Sequence, residues 1–174
     1  RIRNIEADSL YAGIMIDTNN FLTKTGVRTF EAAAFLRRCG ADVTRVRKMF
    51  REHVEDYRAK GEAIRNAELF REHFAISVCP SEGLDSPTVV GAQAANELLN
   101  IIGVKASFVL TDYRNTIYIS ARSIDEINVQ IVMERLGGGG HLNIAGAQLE
   151  HYSITEAKDV LKQTLQKMLD EGDI

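Results

Sequence analysis

The chain has 174 residues, of which 45% are hydrophobic and 26% are charged, and its formal net charge is −3. This length suits one ordinary domain or two small ones with a real core, and the charge argues against a protein that wraps duplex nucleic acid through a general basic surface. The two cysteines, Cys39 and Cys79, lie too far apart to suggest a structural zinc site or a disulfide framework.

The first part of the chain is predicted to be helical. Apolar residues at helical spacing predict a helix over residues 5–16, and the polar run that begins at Asp17 is expected to end it. A second helix is expected to begin at Thr29, as its N-cap, and to end at Gly40. Residues 42–68 are helix-rich and highly charged, which predicts a helical connector with a solvated face, interrupted at Gly61.

Strands and helices are predicted to alternate after residue 72. Phe74, Ile76 and Val78 alternate with small residues and predict a strand. Ser86 and Pro87 then form an N-cap followed by proline at the first helical position.

Two β-rich runs follow, over residues 105–111 and 115–121, and the intervening residues 112–114 are expected to form a hairpin turn. Ser123 with Glu126, and Ser153 with Glu156, are capping-box pairs that predict two further helices. Together these elements predict an α/β fold, a mixed β-sheet flanked by helices, with a domain boundary near residue 68.

Four consecutive glycines, Gly137–Gly140, precede His141 and form the most informative stretch. Each glycine loses more backbone entropy on folding than any other residue, so a function must require that backbone to be freely shaped. Close approach of an anion to successive N–H groups is one such function, and a helix C-cap with a flexible turn is the alternative. The residue pattern favours the anion site, but it is not a Walker A loop, since no Lys-Ser/Thr pair follows.

These residues resemble a known family. The run Gly137–Gly146, with His141 after the glycines and Ala145 before the last one, resembles the signature of the DHH-associated C-terminal domain, DHHA1. The segment 120–123 resembles the Ser-x-Arg-Ser element that precedes this signature, and residues 10–21 resemble the last motif of a DHH catalytic domain. The resemblance covers essentially the whole chain, and the form of the glycine run is similar to GdpP-type cyclic-di-AMP phosphodiesterases.

The resemblance implies a role for each matched residue. Asp17 would be a catalytic residue that ligates a metal, usually Mn²⁺ with Mg²⁺ as the alternative, in a two-metal site. The residues that would contact the substrate are Arg122, Gly138, Gly139, Gly140 and His141. Residue chemistry agrees, because a guanidinium binds phosphate through two parallel hydrogen bonds and a carboxylate suits hard divalent cations.

One departure from the family pattern bears on catalysis. The Asp-x-Asp motif, the isolated Asp and the Asp-His-His triplet of the catalytic domain are absent from the chain. Asp17 alone cannot hold two metals, so we expect this chain, which begins without Met, to be part of a larger protein and inactive by itself. Residues 1–68 would be the end of the catalytic domain plus the connector, and residues 69–174 the DHHA1 domain.

The expected function is substrate recognition in a phosphodiesterase that hydrolyses cyclic di-AMP to pApA. The alternatives are a nanoRNase that trims short oligonucleotides or removes the 3′ phosphate of pAp, and a nucleotide-binding module without catalysis. The expected partner is a cyclic dinucleotide or short oligonucleotide, with neither duplex nucleic acid nor membrane contacted by this part, and a homodimer is the candidate assembly. The resemblance implies a cytoplasmic domain in a parent anchored in the cell membrane.

Several residues have simpler interpretations. Without the resemblance, Asp17 would be an ordinary polar residue at a helix end, and Arg122 a surface charge at a strand end. Tyr113 and Tyr118 could stack on a base, although packing within the core or the hairpin is the favoured interpretation.

Overall fold

A computed structural model describes residues 2–174, and the chain divides into two compact units, one ending at Glu52 and one spanning His53–Ile174. The helices are α1 (Asn4–Asp17), α2 (Val27–Arg38), α3 (Val43–Met49), α4 (Val54–Arg65), α5 (Pro87–Leu98), α6 (Val129–Arg135) and α7 (Ile154–Glu171). The strands are β1 (Glu68–Phe70), β2 (Phe74–Cys79), β3 (Ala106–Tyr113), β4 (Thr116–Ser123), β5 (Gly139–His141) and β6 (Ile144–Glu150). The predicted mixed sheet flanked by helices is confirmed.

The first unit is a three-helix unit held by a small core and one buried carboxylate. Ala7, Leu36 and Ala41 are buried together. Asp8 is 3% exposed, and its carboxylate accepts hydrogen bonds from the Asp42 backbone N–H at 2.7 Å and from Arg45 Nε at 2.6 Å. The Arg45 hydrogen bond, followed by that of Asp42, holds the pKa of Asp8 below its usual range, so this carboxylate links α1 to the start of α3 in its ionised form.

The helix boundaries differ from the predictions at two places. The helix α2 begins at Val27 with Gly26 as its N-cap, because Thr29 lies one turn inside and its Oγ1 accepts a hydrogen bond from the Gly26 N–H at 3.2 Å. Gly61 lies inside α4 and does not interrupt it, and the break falls before α4 instead.

The helix α4 packs on α5 and β2, so the second compact unit begins earlier than the predicted boundary near residue 68. The assignment of residues 1–68 to a catalytic domain plus connector stays a prediction.

The second unit is built on a six-stranded sheet in the order β1-β2-β3-β4-β6-β5. The pair β2 and β3 is parallel, with α5 as its crossover, and all other neighbours are antiparallel. One face of the sheet packs against α6 and α7, and its buried apolar residues form the main core. The other face is covered by α5 and α4 over β2 and β3, whereas β6 and β5 lack such a cover.

Two local predictions for this unit require correction. The hairpin between β3 and β4 turns at Arg114 and Asn115, whose φ angles are +53° and +62°, while Tyr113 still belongs to β3. Ser123 does not cap a helix, because it is the last residue of β4, and Asn128 caps α6 instead.

The strand β1 was not predicted. It begins at Glu68, the last residue of the predicted helical connector, and ends at Phe70. Across residues 2–174, no helix combines the length and the apolar character that crossing a membrane requires.

Candidate functional site

An open cavity of about 490 Å³ lies on the part of the sheet that α5 leaves uncovered. Strands β4 and β6 form its floor, the glycine run forms one wall, and Thr88 in the first turn of α5 lies at its rim. The lining residues are Thr88, Tyr118, Ile119, Ser120, Gly137, Gly138, Gly139, Gly146, Ala147 and Gln148. The volume falls within the range of small-molecule pockets, roughly 300–1,000 Å³.

The glycine run first ends a helix and then becomes an edge strand. The Gly137 N–H donates to the Glu134 carbonyl at 3.0 Å, and the Gly138 N–H donates to the Met133 carbonyl at 2.8 Å. Gly137 has φ +77°, so the pair forms the Schellman ending of α6. These two N–H groups are therefore used by the helix and are not free to hold an anion, which corrects the expectation of a cradle formed by successive N–H groups.

Two of the glycines are required by close packing of backbone on backbone. A β-carbon at Gly138 would lie 2.1 Å from the Gly146 carbonyl oxygen, and one at Gly140 would lie 2.5 Å from the Ala145 Cα atom. Gly140 also has φ +148°, which other residues rarely adopt. Gly138 and Gly140 thus let β5 lie directly against β6.

Gly139 is different, because a β-carbon there would meet no protein atom within 4 Å. It pairs with Gly146, which pairs in turn with Ser120, so these three residues lie side by side on the open face. All three line the cavity. Packing and backbone angle therefore do not require glycine at position 139, whereas a ligand that approaches the backbone there would.

His141 is exposed at the end of β5 and pairs with Ile144, which pairs with Arg122. Directly paired residues of neighbouring strands lie on the same face of a sheet. The register therefore brings His141 and Arg122 to the open face, next to the cavity but outside its lining.

Arg122 is a partly buried cation without an anionic partner among residues 2–174. Its Nε donates to Asn96 Oδ1 at 3.1 Å, and its Nη1 donates to the carbonyl oxygens of Ala121 at 2.8 Å and Ala145 at 3.5 Å. Burial lowers the pKa of Arg122 from its usual range, yet a guanidinium stays charged in proteins. By contrast, Arg135 has two carboxylate partners, Glu171 and Asp173.

Asp17 is exposed and is the last residue of α1, in the first compact unit. Over residues 2–174, no three or more His, Cys, Asp or Glu side chains are grouped so that they could hold a metal ion. The residues present therefore do not fit a two-metal site by themselves.

Sequence reasoning missed three of the residues that line the cavity, Thr88, Ser120 and Gln148, and also Asn96, whose Oδ1 accepts a hydrogen bond from Arg122. The signal that could have found part of this set is alternation. Tyr118, Ser120 and Arg122 are spaced two residues apart on β4, so they face the same side of the sheet, although the predicted strand ended at residue 121.

Comparison with known proteins gives a consistent set of relatives. The profile of the DHHA1 domain matches residues 73–168. The cyclic-di-AMP phosphodiesterase GdpP of Bacillus subtilis is 42% identical over 174 residues, covering 99% of this chain and 26% of that protein. The cyclic-di-AMP phosphodiesterase PdeA of Listeria monocytogenes is 41% identical over 162 residues, covering 92% of this chain and 24% of that protein.

Among solved structures, an exopolyphosphatase-related protein from Bacteroides fragilis superimposes with a TM-score of 0.84 at 24% identity. The match covers 96% of this chain and 51% of that one. At this identity the likeness shows the fold alone. The chain spans about a quarter of the length of the curated relatives that it matches.

Proposed function

Since this chain belongs to the DHHA1 domain family, we propose that it recognises the substrate within a phosphodiesterase that hydrolyses cyclic di-AMP to pApA. The proposal concerns a larger parent protein, of which this chain supplies the binding surface. The names of the GdpP and PdeA relatives support the choice of substrate.

The observation that carries the proposal is the unpaired charge of Arg122. A partly buried guanidinium that bonds only to neutral oxygens leaves its positive charge uncompensated. An anion placed beside it gains a charge-assisted hydrogen bond in surroundings that screen charge less than water does. Gly139 keeps the neighbouring backbone unobstructed, and His141 adds a ring nitrogen on the same face. A phosphate group fits this combination.

We assign no catalytic step to this chain, because its residues do not fit a two-metal site. Asp17 is proposed as one ligand of that site in the intact parent, with Mn²⁺ as the metal and Mg²⁺ as the alternative. The isolated chain should therefore show no metal-dependent turnover, whereas Asp17→Ala in the parent should abolish turnover without changing the melting temperature. Turnover by the isolated chain, or full activity of the parent variant, would contradict this assignment.

Calorimetric titration of cyclic di-AMP and pApA into the chain tests the binding role. Arg122→Ala should weaken binding roughly ten- to a hundred-fold, because a hydrogen bond to a charged group contributes about 1.5–3 kcal/mol. Arg122→Lys should restore part of the affinity, since an ammonium lacks the forked geometry. Arg135→Gln is the matched control, because it removes the same charge from an arginine that already has partners. Equal affinity of all variants would refute the proposal.

A substrate panel on the parent separates this function from its nearest alternative. Preference for short oligonucleotides or pAp over cyclic di-AMP would identify a nanoRNase or pAp phosphatase. The parent is further proposed to be anchored in the cell membrane, with this domain in the cytoplasm, and to form a homodimer. Cell fractionation and light scattering on the parent test these two points.

A further inference from the structure

The cavity has an aromatic end that the phosphate-binding residues do not use. Tyr118 lines the cavity, and its ring also contacts Tyr113 at 6.5 Å between centroids, with the planes tilted by 50°. The Arg114 guanidinium lies 4.9 Å from the centroid of the Tyr113 ring. Tyr118 is therefore supported by its neighbour on one side and remains available to the cavity on the other.

Gln148 lies beside this ring. It pairs directly with Tyr118 across β4 and β6, so the amide and the ring share the open face. The Gln148 side chain is exposed and has no hydrogen-bond partner anywhere in the described range 2–174. Its amide offers both donors and an acceptor, and the Thr88 hydroxyl lies at the rim of the same cavity.

The spacing along β4 suits one nucleotide unit. Tyr118 and Arg122 are four residues apart on the same face, which at about 3.3 Å per residue places their Cα atoms roughly 13 Å apart. The arginine side chain reaches over part of that distance, and Ser120 lies between the two residues on the cavity floor. A phosphate at Arg122 therefore leaves room for the attached sugar and base to extend toward Tyr118.

We infer that this end of the cavity is a nucleobase subsite in which Tyr118 stacks on the base and Gln148 selects adenine. The inference rests on the proposed nucleotide-binding function and deepens it. Aromatic side chains stack on any base, so Tyr118 gives affinity without selectivity. A glutamine amide matches the adjacent donor and acceptor of adenine, N6 and N7, whereas guanine presents two acceptors at the same edge. Gln148 is therefore the specificity-determining residue.

The test is a titration of cyclic di-AMP and cyclic di-GMP into the unaltered chain and four variants. Tyr118→Leu should weaken the binding of both nucleotides roughly ten- to a hundred-fold, while Tyr118→Phe should recover most of that affinity, because it keeps the ring. Gln148→Ala should reduce the preference for cyclic di-AMP roughly tenfold or more, and Gln148→Arg should shift the preference toward cyclic di-GMP. Tyr57→Leu and Gln130→Ala, outside the cavity, are controls for loss of a ring and of an amide.

Thermal melting of every variant separates loss of binding from loss of folding. If the unaltered chain binds neither nucleotide, the proposed function fails and the subsite fails with it. If the unaltered chain binds but Tyr118→Leu and Gln148→Ala keep its affinity and preference, the subsite alone is overturned. If Tyr118→Leu unfolds, the Gln148 variants decide, since an exposed amide can be removed without disturbing the core.

Discussion

The two faces of the sheet at β4 are formed by alternate residues of one strand and have opposite properties. Ile119 and Ala121 are buried in the core formed with α6 and α7. Tyr118 and Arg122, which flank this pair in sequence, face the open side, where Tyr118 lines the cavity. A single strand thus contributes to folding on one face and to binding on the other. Substitutions on the two faces should therefore change different measurable quantities.

The largest effect is expected on the covered face. Leu161 of α7 is fully buried in the main core, so Leu161→Ala should lower the free energy of unfolding by about 2–5 kcal/mol. Its nucleotide affinity should not change under conditions where the variant stays folded. Urea denaturation and calorimetry on the same samples measure both quantities. The exposed Leu142 provides the control, Leu142→Ala, which should cost little stability. A large loss of affinity in folded Leu161→Ala would break the separation between the faces.

The glycine run allows stability and binding to be separated within a single strand, β5. Gly140→Ala forces a β-carbon against the backbone of β6 and should cost about 1–3 kcal/mol of stability, as overpacking does. Gly139→Ala meets open space and should keep the melting temperature while weakening nucleotide binding. Melting curves and titrations of the two variants give the answer. The reverse ordering, with Gly139→Ala unstable and binding intact, would make the whole run a structural turn.

His141 is expected to have a smaller effect, confined to binding. His141→Ala should weaken nucleotide binding about tenfold, at the lower end of what a hydrogen bond to an ionised phosphate contributes. Its melting temperature should stay unchanged, because the side chain is exposed. The control is His53→Ala, another exposed histidine, which makes no side-chain cap contact to α4. Equal affinities of both histidine variants would remove His141 from the site.

The smallest effect is expected at Cys79, which is buried in the cluster formed with α5, and chemical modification tests that burial locally. Burial, with a further contribution from Glu62, raises the pKa of the Cys79 thiol from 9.0 to about 11. Because the folded state resists losing this proton, its stability should be unaffected below about pH 9 and should fall as the pH rises toward 11. At about pH 8 a thiol reagent should modify the partly exposed Cys39 well before Cys79. Equal modification rates of Cys39 and Cys79 in the folded chain would contradict the burial of Cys79.

The elements that could be predicted from sequence are those fixed by local chemistry. Ser153 caps α7 as its capping box with Glu156 predicts, and Pro87 begins α5. The helix start predicted from the similar pair Ser123 and Glu126 was wrong, because Ser123 pairs with Ala106 of β3 and so continues β4.

The candidate site was predictable only in part. Arg122, His141 and the glycines were found from the resemblance, but sequence alone could not distinguish Gly139 from Gly138. That distinction depends on which backbone lies opposite each glycine, which only the pairing of β5 with β6 determines. Gln148 was missed for the same reason, since its importance comes from its cross-strand partner Tyr118.

Mapping the bound nucleotide onto the sheet tests the central claim most directly. Cyclic di-AMP titrated into the isotope-labelled chain should shift the amide resonances of Gly139, Ser120 and Gln148 together, along with the side-chain resonances of Arg122. Residues of α6 and α7 that face the main core should be nearly unaffected. Shifts concentrated on α6 and α7, or on residues 2–52, with none at Gly139, would show that the open face is not where the nucleotide binds.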